Sequence, residues 1–209
     1  MNDFKSDQED FWAGEFGTDY ISRNNSQDYL AANLHFFGEI LSKTNGISSV
    51  MEFGPNIGMN LKAISLLLPQ VQLGGVEINS DANNALKSEF PDGNFFNQSI
   101  VEYKSTEKYD LCLIKGVLIH LNPDLLQVAY QKIYESAKKY VLIAEYYDRS
   151  PVTVEYRGHS DRLFKRDFAG EFLQQYPDFI LKDYGFIYHA DANFPQDDVT
   201  WFLMEKYAV

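Results

Sequence analysis

Residues 50–60 read VMEFGPNIGMN, and the fold turns on how this stretch is parsed. With the preceding ISS, VMEF is a short apolar run that reads as a buried strand. GPNIG interrupts it, and LKAISLLLP follows with apolar positions at helical spacing. A strand that passes through glycines into a helix forms a cradle for phosphate or carboxylate. The glycines let the backbone approach a ligand, and the first helical turn offers unpaired N–H groups with a partial positive charge. Glu77 ends a second strand-like run, VQLGGVEIN, and an acid there is placed to hydrogen-bond the hydroxyls of a ribose.

Upstream of this stretch, Asp28–Lys43 reads as a helix with Leu30, Leu34, Phe37 and Leu41 along one face. Downstream, Ser80 caps a helix over DANNALKSEF, which Pro91 and Gly93 end. NFFNQSIVEY is a third strand with a loop at Asn97–Ile100. YDLCLIKG is a fourth, apolar almost throughout, as a central parallel strand covered on both faces must be. Asn122 and Pro123 start the helix DLLQVAYQKIYESAKK, and YVLIAEYY is the fifth strand. Regular alternation of strand and helix marks a doubly wound, mostly parallel α/β sheet. The tail departs from it. A helix over RDFAGEFLQQY is followed by the strands FILKDYGFIYH and TWFLMEK, joined only by the loop ADANFPQDD, which predicts a C-terminal antiparallel hairpin.

The 209 residues suit one domain, with 1–26 as an N-terminal flap and 146–167 as a segment on the substrate side. Phe11, Trp12, Phe16 and Tyr20 in the flap either cover the sheet edge or form a lid over a ligand, with Arg23 available for an acidic group. The net charge of −12 argues against nucleic acid as the main partner. The single cysteine, Cys112, excludes an intrachain disulfide and suits a reducing compartment. The polar start MNDFKSDQED is no secretory signal, and no apolar run is long enough to span a bilayer. The expectation is a soluble cytoplasmic protein with no membrane partner. The four histidines have no metal-ligand spacing, so no metal is expected.

Glu52, Gly54 and Gly58 in EFGPNIG, with the acid at Glu77 and the terminal hairpin, resemble the S-adenosylmethionine-dependent methyltransferases of Rossmann-like fold, whose motif is E/D-x-G-x-G-x-G. Asn56 stands where the middle glycine is expected, and asparagine is among the residues that best tolerate positive φ. The resemblance implies that S-adenosylmethionine is the cofactor, that Glu77 binds its ribose, and that Ile78 packs on its adenine. It places Gln98, Ser99 and Ile100 beside the adenine, with Gln98 where many members carry an acid. It sets Lys115 and Gly116 near the methionine end and His120 toward the acceptor, and it gives Trp12, Tyr20 and Arg23 contacts to the cofactor. FWAGEFGTDYISRN, EFGPNIGMNL and EYYDRSPVTVEYRGHSDRLFKRDFAGE together are similar to the methylases associated with pseudaminic acid biosynthesis. That likeness implies a small-molecule methyltransferase acting in bacterial surface-sugar modification.

Arg149, Arg157, Arg162, Lys165 and Arg166 form a local positive cluster in this acidic chain. Such residues bind phosphate or carboxylate through charge-assisted hydrogen bonds, so the partner expected is an anionic sugar or nucleotide-linked sugar. Tyr146, Tyr147 and Tyr156 are placed to stack on it. The alternative is a solvated loop whose cations offset an acidic surface. Methyl transfer to a hydroxyl benefits from a base, for which His159 is the first candidate and His120 the second. Other readings are a non-sugar metabolite or protein side chain as acceptor, a sheet that binds the cofactor without catalysis, and a nicotinamide-dependent sugar reductase or epimerase. The last is suggested by Tyr134 and Lys138 in YESAK, but GPNIGMN lacks its further glycine.

Overall fold

A computed structural model of the chain describes residues 5–21, 26–156 and 158–207, the side chains of 159–161 excepted. Arg23 and Arg157 lie outside the described residues, as does the side chain of His159. Two short helices come first, α1 (Asp7–Ala13) and α2 (Glu15–Ile21), then α3 (Gln27–Ser42). The alternating body follows as β1 (Ser49–Phe53), α4 (Met59–Leu67), β2 (Gln72–Glu77), α5 (Ser80–Glu89), β3 (Asn94–Asn97), β4 (Tyr109–Lys115), α6 (Leu126–Ser136) and β5 (Ala137–Glu145). The tail adds β6 (Val152–Tyr156), β7 (His159–Lys165), α7 (Phe168–Gln175), β8 (Phe179–Ile187) and β9 (Val199–Lys206).

Seven strands form one sheet in the order β3-β2-β1-β4-β5-β9-β8. The first five run parallel, and β9 and β8 pair antiparallel to their neighbours, so the sheet is mixed at one edge as the tail predicts. Along β1, β4 and β5 successive side chains point to opposite faces, and both faces are covered. Met51, Cys112, Ile114, Val141 and Ile143 pack with Tyr130 and Ile133 of α6 and Phe172 of α7. Val50, Leu111, Leu113 and Leu142 pack with Leu61 and Ile64 of α4 and Phe37 and Ile40 of α3. This is why the strands read as unbroken apolar runs. Truncating Phe172, which is fully buried, to alanine costs about 3–5 kcal/mol.

Three boundaries differ from the sequence reading. The inward face of α3 is Asn33, Phe36, Phe37 and Ile40, while Leu30, Leu34 and Leu41 flank it, because the apolar stripe is wider than one row. β5 begins at Ala137, so Lys138 lies on a strand and not at a helix end. Residues 152–165 are an antiparallel hairpin, β6–β7, outside the main sheet. Its alternation of Val152, Val154 and Tyr156 and the positive φ of Gly158, 82°, are hairpin signals that the charge run obscures.

Candidate functional site

The order of the sheet reverses beside β1, which has β2 on one side and β4 on the other. In open α/β sheets, a crevice forms at such a point outside the carboxyl ends of the strands. Here it is a cavity of ≈ 220 Å³ that runs from Ser99, after β3, to Asp197 and Val199, where β9 begins. At ~4.8 Å per strand the span is about 24 Å.

The floor is the turn after β1. Gly54, Asn56 and Gly58 all have positive φ, at 75°, 51° and 84°. Asparagine therefore occupies a left-handed position that the glycine spacing of the turn requires. A Cβ on Gly54 would stand 2.6 Å from Val117 Cγ2, and one on Gly58 2.6 Å from Leu86 Cδ2. Gly54 and Asn56 line the cavity, whereas Gly58 serves the packing of α5 against the turn. Gly116 also has positive φ, 68°, and a Cβ there meets nothing within 4 Å, so the backbone after β4 is open to a ligand.

Two acids sit at neighbouring strand ends with different surroundings. Glu77 lines the cavity and is 7% exposed. Its Oε2 accepts from the Asn56 N–H and its Oε1 from the Asn79 N–H, both at 2.8 Å. Burial raises its carboxyl above the usual range, and these N–H groups act against that rise. Glu52 lies behind the wall, fully buried. Its Oε1 accepts from Asn60 Nδ2 at 2.6 Å, and its Oε2 is buried with no partner. Burial pushes Glu52 up to about 7, opposed by Asn60 and Lys115. Asn56 Oδ1 and Asn60 Oδ1 are likewise buried acceptors with no partner.

The roof is α1 and α2. Asn79 Oδ1 caps α5 by accepting from the N–H groups of Asp81 and Ala82 at 3.0 and 3.1 Å. Its Nδ2 faces the other way, 3.4 Å from the carbonyls of Trp12, Ala13 and Gly14 and 3.2 Å from Thr18 Oγ1. The Glu9 carboxylate, 4% exposed, accepts from Ser99 Oγ. The flap is thus fastened over β2 and β3, and Trp12 and Tyr20 line the cavity beneath it.

His120 closes the wall after β4. Glu145, at the end of β5, accepts from the N–H groups of Val117 and Leu118 at 2.9 Å and so fixes the short turn that carries it. Burial pushes Glu145 up to about 7, against the pull of those N–H groups. His120 Nδ1 lies 2.7 Å from the carbonyl oxygen of Arg162 on β7, and its ring packs 4.7 Å from Trp12 and 5.0 Å from Tyr156. Burial lowers its pKa to about 4, so the imidazole is neutral at physiological pH. A carbonyl has no proton to give, so Nδ1 carries the ring proton and Nε2 is the acceptor.

Of the residues expected from sequence, Trp12, Tyr20, Gly54, Asn56, Glu77, Ile78, Ser99, Ile100, Lys115, Gly116, His120, Tyr146 and Tyr156 line this one cavity. Glu52, Gly58, Gln98, Tyr147, Arg162 and Lys165 do not. Tyr147 adjoins Tyr146 in an extended segment and points the other way, with its ring 5.8 Å from Phe202. The positive cluster disperses. Arg166 pairs with Glu171 at 2.8 Å, Arg162 lies over the Phe11 ring, and Lys165 Nζ is 5.6 Å from the Tyr146 ring. Gln8, Glu9, Asn79, Gln196 and Asp197 also line the cavity and carry no motif that sequence reading singles out. Tyr134 and Lys138 are separated from it and from each other: Tyr134 donates to Asp178 at 3.0 Å and Lys138 to Asp110 at 2.8 Å. Among the described residues no His, Cys, Asp and Glu cluster can hold a metal ion, and no helix is long and apolar enough to cross a membrane.

The arrangement of this mixed α/β sheet and its helices recurs in solved structures. This is the methyltransferase fold. The chain is similar to magnesium protoporphyrin IX methyltransferase from Synechocystis PCC 6803 with bound S-adenosylmethionine, with a TM-score of 0.67 at 13% identity over 99% of this chain and 100% of that one. It is similar to the plantazolicin methyltransferase BpumL in complex with S-adenosylhomocysteine, with a TM-score of 0.66 at 16% identity over 96% and 94%. It is similar also to the O-methyltransferase of a trans-AT polyketide synthase multienzyme of Brevibacillus brevis, with a TM-score of 0.66 at 13% identity over 99% and 81%. At these identities the likeness is one of fold. No protein-family model and no curated protein matches the chain.

Proposed function

We propose that this chain is an S-adenosylmethionine-dependent methyltransferase acting on a small polar acceptor. The observation that carries the reading is the Glu77 carboxylate, held at the cavity floor by two backbone N–H groups with lone pairs left for a pair of hydroxyls. The cavity also fits the rest of the donor. The unpartnered oxygens of the lining residues Asn56 and Asn60 call for a donor-rich group such as an ammonium, and Gly116 leaves room for a chain to pass. Glu77 would hold the ribose, Ile78, Ser99 and Ile100 would border the adenine, and Asn60, Lys115 and Gly116 would meet the methionine end. When bound, the sulfonium supplies an electrophilic methyl carbon.

The protein's part is alignment and exclusion of water. Trp12 and Tyr20 on the fastened flap cover the cleft, and Glu145 fixes the turn that bears His120. His120 Nε2 is left to accept a hydrogen bond from the acceptor's nucleophilic group. Its low pKa keeps it an acceptor throughout the physiological range. For the acceptor class, the likeness to pseudaminic acid-associated methylases supports a sugar or nucleotide-linked sugar, made and modified in the cytoplasm. The anionic character expected from the basic run has less to stand on, because Arg162, Lys165 and Arg166 do not line the cavity.

Calorimetric titration with S-adenosylhomocysteine tests the donor. Micromolar binding, weakened at least tenfold in Glu77→Gln, is expected; stabilisation by NADPH with no effect of S-adenosylhomocysteine would overturn it. Radiolabelled methyl transfer to a panel of nucleotide sugars tests the acceptor class.

A further inference from the structure

We infer that the methyl group is delivered to an amine nitrogen, held as its ammonium in a subsite of aromatic rings and hydrogen-bond acceptors beyond the donor. The inference rests on the donor assignment above and concerns the other end of the cavity. Strand order sets the division. The groups assigned to the donor lie at the ends of β3, β2, β1 and β4, whereas Tyr146 follows β5, and Gln196 and Asp197 precede β9.

Rings form a continuous surface there. Trp12 lies 5.3 Å from Tyr20 and 4.7 Å from His120, and His120 lies 5.0 Å from Tyr156, each distance between ring centroids. Tyr146 lines the same space and hydrogen-bonds Asp197, whose carboxylate stands at the exposed rim. Such surfaces attract cations through the negative faces of the rings.

The inventory of hydrogen-bonding groups points the same way. Gln196 is 9% exposed and its Oε1 is buried with no partner. His120 Nε2 is an acceptor because Nδ1 is committed to the Arg162 carbonyl. Asp197 is an anion. Gln196, His120 and Asp197 thus bring acceptors to the lining of this end, where Trp12 Nε1 is a buried donor without a partner, and among the described lining residues the one cation is Lys115, at the end of β4. A carboxylate or phosphate ligand would bring further acceptors to acceptors. A hydroxyl brings a single hydrogen, and an ammonium brings three.

The chemistry balances. The bound ammonium gives one proton to water, exposing the nitrogen lone pair, while His120 Nε2 and Gln196 Oε1 accept the remaining N–H bonds. The lone pair forms the N–CH3 bond as the C–S bond breaks. The C–S electrons stay on sulfur as a neutral thioether, and the product is a methylammonium. An amino sugar satisfies both this requirement and the proposed acceptor class.

The test is a ligand-observed NMR titration of the S-adenosylhomocysteine-loaded chain at pH 7 with ethylammonium, ethanol and acetate. Saturable binding of ethylammonium at least tenfold tighter than that of ethanol or acetate is expected, falling at least fivefold in Asp197→Asn. Acetate or ethanol binding as tightly as ethylammonium would overturn the inference, as would an undiminished preference in Asp197→Asn. Asp197 is exposed, so its amide variant should fold; circular dichroism checks this. Failure of S-adenosylhomocysteine to load sinks the donor assignment instead, and the three probes are then read on the ligand-free chain.

Discussion

The ring nitrogen Nδ1 of His120 and the backbone carbonyl of Arg162, 42 residues apart in the chain, meet at 2.7 Å. This contact fixes the imidazole tautomer and ties the β6–β7 hairpin to the wall of the cavity. A hairpin that moved away would remove the reason for Nε2 to be the acceptor.

His120→Ala should therefore lower kcat about tenfold, the worth of one lost hydrogen bond. Donor affinity should change little, since His120 lies on the acceptor side. Nitrogen-15 NMR should show the Nδ1-protonated form from pH 5.5 to 8, with no titration near 6.5, because the folded-state value is about 4. A rate profile with a limb near pH 6.5 that disappears in His120→Ala would contradict this.

The turn should tolerate a narrow set of residues at position 56. Asn56→Gly keeps positive φ without strain and should fold with stability within about 0.5 kcal/mol of the parent. Asn56→Val should cost about 1–2 kcal/mol through the left-handed backbone alone. Gly54→Ala should be worse still, because strain adds to a Cβ 2.6 Å from Val117. Chemical denaturation of the three variants orders them.

Glu52 gives a pH signature. Its folded value of about 7 is above its ordinary 4.5, so between these pH values the folded state binds more protons than the unfolded state. Stability from this group is full below pH 4.5 and is lost as pH rises through 7. Glu52→Gln keeps the acceptor for Asn60 and removes the titration. It should gain on the parent progressively across that window, by up to about 3 kcal/mol at pH 8. His120 acts in the opposite direction, adding stability as pH rises from about 4 to 6.5, and is present in both proteins. Equal slopes for parent and variant would exclude Glu52 as the source.

Asp110 tests a structural site remote from the cavity. Burial would raise it, but Lys138, Ser48 and the Ser48 N–H hold it well below the usual carboxylate range. Asp110→Asn should cost about 1–3 kcal/mol at pH 7. Because the folded value is depressed, that difference should shrink as pH falls below 3.8. Urea titrations at pH 7 and pH 3 measure both.

Much of this was legible in the chain. The run VMEFGPNIGMN specifies strand, turn and helix locally, and Asn56 at positive φ is what its place in the glycine spacing requires. The doubly wound parallel sheet follows from alternation, and its mixed edge from two strands with no helix between them. The hairpin at 152–165 is obscured because its cations Arg157, Arg162 and Lys165 read first as a charge cluster, although a period-two pattern is present. Glu145 looked like the polar end of an apolar strand. Its role as acceptor for three consecutive N–H groups arises only when β5 lies beside β4. Asn79 read as part of a strand end, yet one amide group serves two elements. Gln196 and Asp197 sit in a loop with no motif, and only the antiparallel entry of β9 brings them to the carboxyl edge. Contacts made by distant segments leave no local pattern to read.

Asn79 also has a mechanical consequence. The side chain that starts α5 with its oxygen reaches with its nitrogen for three carbonyls at the end of α1, and beside it Thr18 of α2 donates to Asp81 of α5 at 3.0 Å. Lifting the end of α1 away from the cavity would then disturb α5 at its first turn. The cover of the cleft and the start of a helix are thus one mechanical unit, with a single asparagine at the joint.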